Sequence, residues 1–325
     1  MTEFSGRYTL PLKPSKPQPR SRAPQTSPRA EHTVAADPSA SVPTDQYSRK
    51  WLDVPYAKES PSEKLDLFLP DEGQGVFPLI IVVHSGGFYS GDKNGPDLQT
   101  VLDPALAKGY AVASVNYRLS GEATFPAAIE DVRAAIRFLR AHATSFQLNP
   151  VRFALWGFSA GGNLAALAGS VGRMSTFVNP TLGNPDTAGD VQAVVDFYGP
   201  IDFTMMDPQF VTSGVGGGGH DDTHSPESRY LGAPITAVPW LVQETNPQTY
   251  LSQGVPPFFI LHGLMDTVVP YQQSVQLSFY LNLYQPASRI YLRLLENAGH
   301  GGEAFAASNI LDEVFDFLSS FLNAQ

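Results

Sequence analysis

The sequence predicts an α/β protein with a mostly parallel central sheet, helices on both faces and a lid-like insertion. Three observations predict it. Short apolar runs rich in Val, Ile and Phe recur at 79–83, 110–115, 151–156, 191–197 and 258–261, as strands covered on both faces require. Amphipathic helical segments lie between them, and that alternation marks a doubly wound sheet. One long stretch, 200–253, breaks the rhythm with four consecutive glycines at 216–219 and scattered prolines.

Composition agrees with one large domain. Of 325 residues, 42% are hydrophobic, enough for a substantial core. The net charge is −10, but residues 1–45 hold six basic and four acidic residues, so the remainder carries −12. Charge of that sign argues against nucleic acid or an anionic membrane as partner. There is no cysteine, which excludes disulfides, thiolate metal sites and a cysteine nucleophile. No apolar run approaches the ~20 residues of a membrane span. The first thirty residues lack the apolar stretch of a secretory leader, so a cytoplasmic protein is expected.

Residues 1–45 read as a disordered tail, with the domain at 46–325. Eight prolines are interleaved there with Ser, Thr, Arg and Lys, and such a segment buries too little to offset its ordering entropy. Residues 63–69 alternate, with Leu65, Leu67 and Leu69 on one face, which predicts an edge-type strand. Residues 125–140 place Phe125, Ile129, Val132, Ile136 and Leu139 on one helical stripe and Arg133, Arg137 and Arg140 away from it. Pro126 falls in the first turn, where it is tolerated. Residues 160–168, 271–283 and 310–322 are further helices. The stretch 200–253 is expected to be a cap or lid over the sheet's carboxyl edge, where ligands bind in this architecture.

The strongest chemical signal is Gly157-Phe158-Ser159-Ala160-Gly161, between an apolar run and a small-residue helix. That is the strand–turn–helix context of a nucleophile elbow, which lifts a serine hydroxyl above the sheet. A hydroxyl is a poor nucleophile near neutral pH and needs a base. Of seven histidines, His300 in Asn297-Ala298-Gly299-His300-Gly301-Gly302 fits best, because it follows Ser159 and a candidate acid in the chain order Ser, Asp, His. Asp266, in a turn after the run 258–261, is preferred as that acid over Asp196 and Asp202. His84-Ser85-Gly86-Gly87 follows the run 79–83 and predicts oxyanion donors at Gly86, Gly87 and Ala160.

Two weaker signals concern the insertion. His220-Asp221-Asp222-Thr223-His224 has the spacing of a helical metal motif, but glycines before it and Ser225-Pro226 after it predict a mobile polar loop. Met205, Met206, Phe210 and Trp240 are candidates for an acyl pocket or for the lid's own core. Phe88, Tyr89 and Phe158 stand beside the oxyanion loop and the serine.

With these residues in place, the chain from about residue 64 onward resembles the bacterial carboxylesterases near the hormone-sensitive-lipase group of the α/β-hydrolase fold. It is especially similar to the feruloyl and acetylxylan esterase-like branch. The segments that carry the likeness are Lys64-Leu65-Asp66-Leu67, His84-Ser85-Gly86-Gly87-Phe88, Ala113-Ser114-Val115-Asn116-Tyr117-Arg118-Leu119 and Gly157-Phe158-Ser159-Ala160-Gly161-Gly162. Further on they are Val195-Asp196-Phe197-Tyr198-Gly199-Pro200, residues 262–270 and Gly299-His300-Gly301. The resemblance implies the triad Ser159, Asp266 and His300, no metal or cofactor, and a small-molecule ester as substrate, with a short acyl or hydroxycinnamoyl group. Ser85 stands where that family usually has glycine. An amidase or formamidase on the same triad, and a non-catalytic ligand receptor of the same fold, are the competing functions.

Overall fold

The computed structural model describes residues 41–73 and 75–322. Its frame is an eight-stranded sheet built from β1 (Lys50–Pro55), β2 (Lys64–Phe68), β3 (Phe77–Val83), β4 (Ala111–Val115), β5 (Leu148–Phe158), β6 (Ala193–Phe197), β7 (Phe258–Gly263) and β8 (Ile290–Leu295). The order across the sheet is β1-β2-β4-β3-β5-β6-β7-β8. Pairings involving β2 are antiparallel and all others parallel. Each apolar run found in the sequence overlaps one of the strands β3 to β7, those at 110–115 and 191–197 starting one and two residues before theirs.

The alternation along β3 divides the core in two. Leu79, Ile81 and Val83 pack with residues of α2 (Ala127–Ala141) and α3 (Ala160–Val171). Ile80 and Val82 pack with residues of α1 (Pro96–Ala107) and α8 (Ser308–Leu322). A period of two thus sends successive side chains into two separate apolar layers, one on each face. Among the described residues no helix is long and apolar enough to cross a membrane.

Three expectations need correction. Residues 63–69 do form a strand, but β2 is interior and the edge is β1. The polar position Asp66 is buried because its carboxylate meets Lys93 Nζ at 2.9 Å, so its polar face is an internal ion pair and not a solvent face. On α2 the apolar stripe is buried as expected, yet Arg133 and Arg137 are buried too. Arg133 donates to the carbonyls of Gly172, Met174 and Thr176, and Arg137 to those of Asn179 and Gly183. These guanidinium groups satisfy the carbonyls of the long loop after α3, which an exposed face would leave to water. Finally, Val42 is buried and its N–H donates to Asn94 Oδ1 at 2.9 Å. Packing therefore begins before residue 45, and the first forty residues lie outside the described ones.

The stretch 200–253 is more ordered than its sequence pattern predicts. It contains α4 (Met206–Ser213), α5 (Pro226–Leu231), α6 (Pro239–Thr245) and short 3₁₀ turns. Met206, Tyr230, Ile235 and Val242 fix it to the core face shared with α2 and α3. Between β7 and β8 lies α7 (Gln272–Leu281).

Candidate active site

Ser159 sits between β5 and α3 with φ +53°, a conformation that costs a non-glycine residue energy and persists only where the surroundings enforce it. Its N–H donates to Phe197 O of the neighbouring strand at 2.8 Å. A Cβ on Gly157 would lie 2.0 Å from Gly161 O, and one on Gly161 would lie 2.1 Å from Val83 O. The turn is so tight that only glycine fits at either position.

Two loops from distant parts of the chain complete a hydrogen-bonded series. His300 Nε2 is 2.8 Å from Ser159 Oγ, and His300 Nδ1 is 2.7 Å from Asp266 Oδ2. A carboxylate can only accept, so Nδ1 carries the proton and the Nε2 lone pair faces the serine hydroxyl. Asp266 Oδ1 accepts the N–H groups of Val268 and Val269 at 2.7 and 2.9 Å. Burial works against the Asp266 charge, but His262 and His300 outweigh it and hold the carboxyl below the usual range. Tyr198 packs on the His300 ring, with centroids 4.7 Å apart.

The sequence reading missed His262 as a partner. Its Nε2 lies 3.2 Å from Asp266 Oδ2 and 2.9 Å from Val269 O, while Nδ1 lies 2.7 Å from Ser274 Oγ. A carbonyl only accepts, so Nε2 donates, and the ring fixes the turn that delivers Asp266. The spacing of four residues between His262 and Asp266 is the one signal that pointed to it.

The rival acids lie elsewhere. Asp196 is buried, accepts from Gly199 N–H at 3.0 Å, and is pushed by burial up to about 7. Asp202 accepts from Thr204 Oγ1. Neither meets His300.

Ser159, Ala160 and His300 line a cavity of about 260 Å³, walled by residues 85–90 together with Pro200, His220 and Glu227. Gly86 and Gly87 adopt φ +117° and +60°, and their N–H groups donate to no described residue. Ala160 opens α3, where an N–H has no intrahelical acceptor. The arrangement provides a hydroxyl, an adjacent base and free donors around one space. Ser85 is absent from the residues with positive φ, and its N–H donates to Asp97 Oδ2 at 2.7 Å. A side chain is therefore tolerated there, and the loop is anchored through the backbone.

For the Met and aromatic residues of the insertion the acyl-pocket reading fails, and the core reading holds for Met206 and Phe210. Met206 and Phe210 are buried, Met205 and Trp240 are exposed, and none of the four lines the cavity. Phe158 packs with Trp156 and Phe197 in the core, while Phe88 and Tyr89 do reach the cavity. His220 is not in a mobile polar loop: it is buried, 3.1 Å from Glu227 Oε2, whereas His224 is exposed. Among the described residues no group of three or more His, Cys, Asp or Glu could hold a metal.

Sheet order, elbow and the two converging loops define an α/β-hydrolase fold. The BD-FAE family model matches residues 65–281, more than half the chain, and the chain belongs to that family. Among curated relatives it is 31% identical to the probable carboxylic ester hydrolase LipM of Mycobacterium tuberculosis, over 68% of this chain and 49% of LipM. It is 30% identical to the esterase LipQ of the same organism, over 85% of this chain and 63% of LipQ. The chain thus spans 49% and 63% of these relatives' own length, less than two thirds of either. A solved carbohydrate esterase from gut microbiota, in truncated form, superposes with TM-score 0.77 at 28% identity, covering 86% of this chain and 99% of that one. A bifunctional GH43-CE protein of Bacteroides eggerthii gives TM-score 0.76 at 31% identity, over 84% of this chain and 38% of its own.

Proposed function

We propose that this protein is a serine carboxylesterase working through an acyl-enzyme. The observation that carries the reading is the unbroken series Ser159–His300–Asp266, at 2.8 and 2.7 Å, opening on the same cavity as the unpaired N–H groups of Gly86 and Gly87. Ser159 Oγ attacks the ester carbonyl as His300 Nε2 takes its proton. Asp266 keeps the imidazole in the required tautomer and stabilises its cation. The N–H groups of Gly86, Gly87 and Ala160 receive the oxyanion, each such donor contributing ~3–4 kcal/mol to the transition state. His300 then protonates the departing alcohol, and a water repeats the sequence on the acyl group. The esterase names of the relatives support the same reaction class.

The segment 200–253 acts in this reading as a cap, since Pro200, His220 and Glu227 complete the cavity wall. A cavity of about 260 Å³ suits short acyl or small aryl groups, including hydroxycinnamoyl esters. Overfilling such a space costs more than each added methylene returns, about 0.8 kcal/mol. The test combines fluorophosphonate labelling, expected at Ser159 and lost in Ser159→Ala, with rates along a p-nitrophenyl acyl series and on methyl ferulate. Labelling elsewhere sinks the serine assignment. A rate maximum at lauroyl or longer esters sinks the compact acyl site.

A further inference from the structure

Glu227 and His220 belong to no step of that chemistry, yet both line the cavity that holds Ser159. Glu227 is 3% exposed and His220 is 7% exposed. Glu227 Oε2 and His220 Nδ1 face each other at 3.1 Å, out of line for a hydrogen bond, and Oε2 accepts one from no described residue. An unsatisfied buried acceptor is costly, and more so when charged. A buried ion pair seldom repays its desolvation, so stability does not account for placing one beside a nucleophile.

The pair is held by local structure. Asp207 accepts the N–H groups of His220 and Asp221 at 3.1 and 3.0 Å, and the His220 ring stacks on Phe210. Ser225 caps α5 by accepting from Ser228 N–H at 3.0 Å, which fixes Glu227 in its first turn. Burial opposes the His220 cation, but Glu227, Asp207 and the Val268 carbonyl outweigh it and raise its pKa. A protonated ring offsets the Glu227 charge, and Asp207 is a second carboxylate acting on the same ring. Glu227 Oε2 is closed in against His220, so the acceptor offered to a neutral donor in the cavity is the other carboxylate oxygen, Oε1, which also accepts from no described residue. Tyr89, half exposed on the same cavity, adds an aromatic face beside it.

We propose that Glu227, positioned by His220, is a subsite that accepts a hydrogen bond from a substrate hydroxyl, making the protein selective for hydroxyl-bearing esters. The proposal rests on the esterase reading above. That hydroxyl belongs either to a sugar on the alcohol side or to a phenol on the acyl side, and the chemistry recognised is the same.

The test uses matched substrates on the full chain. The phenol arm compares methyl ferulate with its 4-O-methyl counterpart, and the sugar arm compares a monoacetylated methyl xyloside with the same ester O-methylated at its free hydroxyls. Within each pair the ratio of kcat/KM is independent of how much enzyme is active. The wild type is expected to prefer the hydroxyl-bearing member of at least one pair by about ten- to a hundredfold, the discrimination a charged hydrogen bond gives. Glu227→Gln should bring that ratio down tenfold or more through KM, and His220→Gln should lower it less. The arm that responds identifies the hydroxyl. Ratios near one in both wild-type arms, or a preference that survives Glu227→Gln, overturn the subsite while leaving the esterase reading intact. No turnover of any ester by the wild type overturns the esterase reading itself.

Discussion

Strands β6 and β7 are neighbours, and each delivers a buried aspartate near its carboxyl end. Asp196 lies one residue before the end of β6, and Asp266 three residues beyond β7. Their surroundings drive them apart. Asp266 receives two backbone N–H groups and two histidines, which hold it ionised. Asp196 receives the single N–H of Gly199 and has an unpartnered Oδ2, so burial dominates and lifts it to about 7. Burial makes neither residue an acid for His300. The number of donors aimed at the carboxylate decides which one is kept charged.

The largest effect that tests this contrast is loss of the group Asp266 serves. Ser159→Ala and His300→Ala should each lower kcat by ~10⁴-fold or more, and the double variant by little beyond the worse single change, because in the proposed mechanism the residues act as one unit. Multiplicative losses in stopped-flow or steady-state rates would break the series into independent parts, and the contrast with it.

The aspartates come next. Asp266→Asn removes the acceptor that sets the His300 tautomer and should cost ~10³- to 10⁴-fold in kcat. Asp196→Asn should cost less than about tenfold, since a carboxyl pushed toward its neutral form resembles an amide. Steady-state kinetics on a p-nitrophenyl ester decides. A greater loss for Asp196→Asn would transfer the acid role to β6.

That ranking was legible in part. Chain order and the turn after the apolar run at 258–261 favoured Asp266, and the pentapeptide around Ser159 located the elbow, because steric demands at Gly157 and Gly161 leave a sequence trace. The runs at β3 to β7 were legible because strands covered on both faces must be apolar throughout. Elements relying on other contacts left weaker traces. Edge strand β1 is largely exposed and lacks an apolar run. Helix α1 buries Leu98, Val101, Leu102 and Ala105, but Pro104 within it reads as a breaker. Arg133 and Arg137 look like a solvated face until the carbonyls they meet, 39 to 46 residues later, are known. The pairing of His220 with Glu227 joins a loop to the first turn of α5, and no periodic pattern records such a contact.

The smallest expected effect follows from the raised pKa of Asp196 and is read in stability. A carboxyl whose pKa is higher folded than unfolded binds more protons in the folded state between the two values. Its stabilising contribution is complete below the unfolded value of about 3.9 and is lost as pH rises through the folded value. For Asp196 that folded value is about 7. Asp266 has the opposite window, because its contribution is present above the unfolded value and lost only as pH falls below it. Between pH 4 and 8 the wild type should therefore lose on the order of 4 kcal/mol through Asp196 alone. Asp196→Asn cannot titrate and loses nothing there, while keeping an oxygen for Gly199 N–H. Thermal unfolding of both proteins at pH 5 and pH 8 isolates the difference. The variant should gain on the wild type by several degrees in Tm at the higher pH, roughly 2–4 °C for each kcal/mol in a domain somewhat smaller than this one. An equal Tm difference at both values would mean that Asp196 is charged throughout, and that some donor reaches its Oδ2 as His262 and His300 reach Asp266.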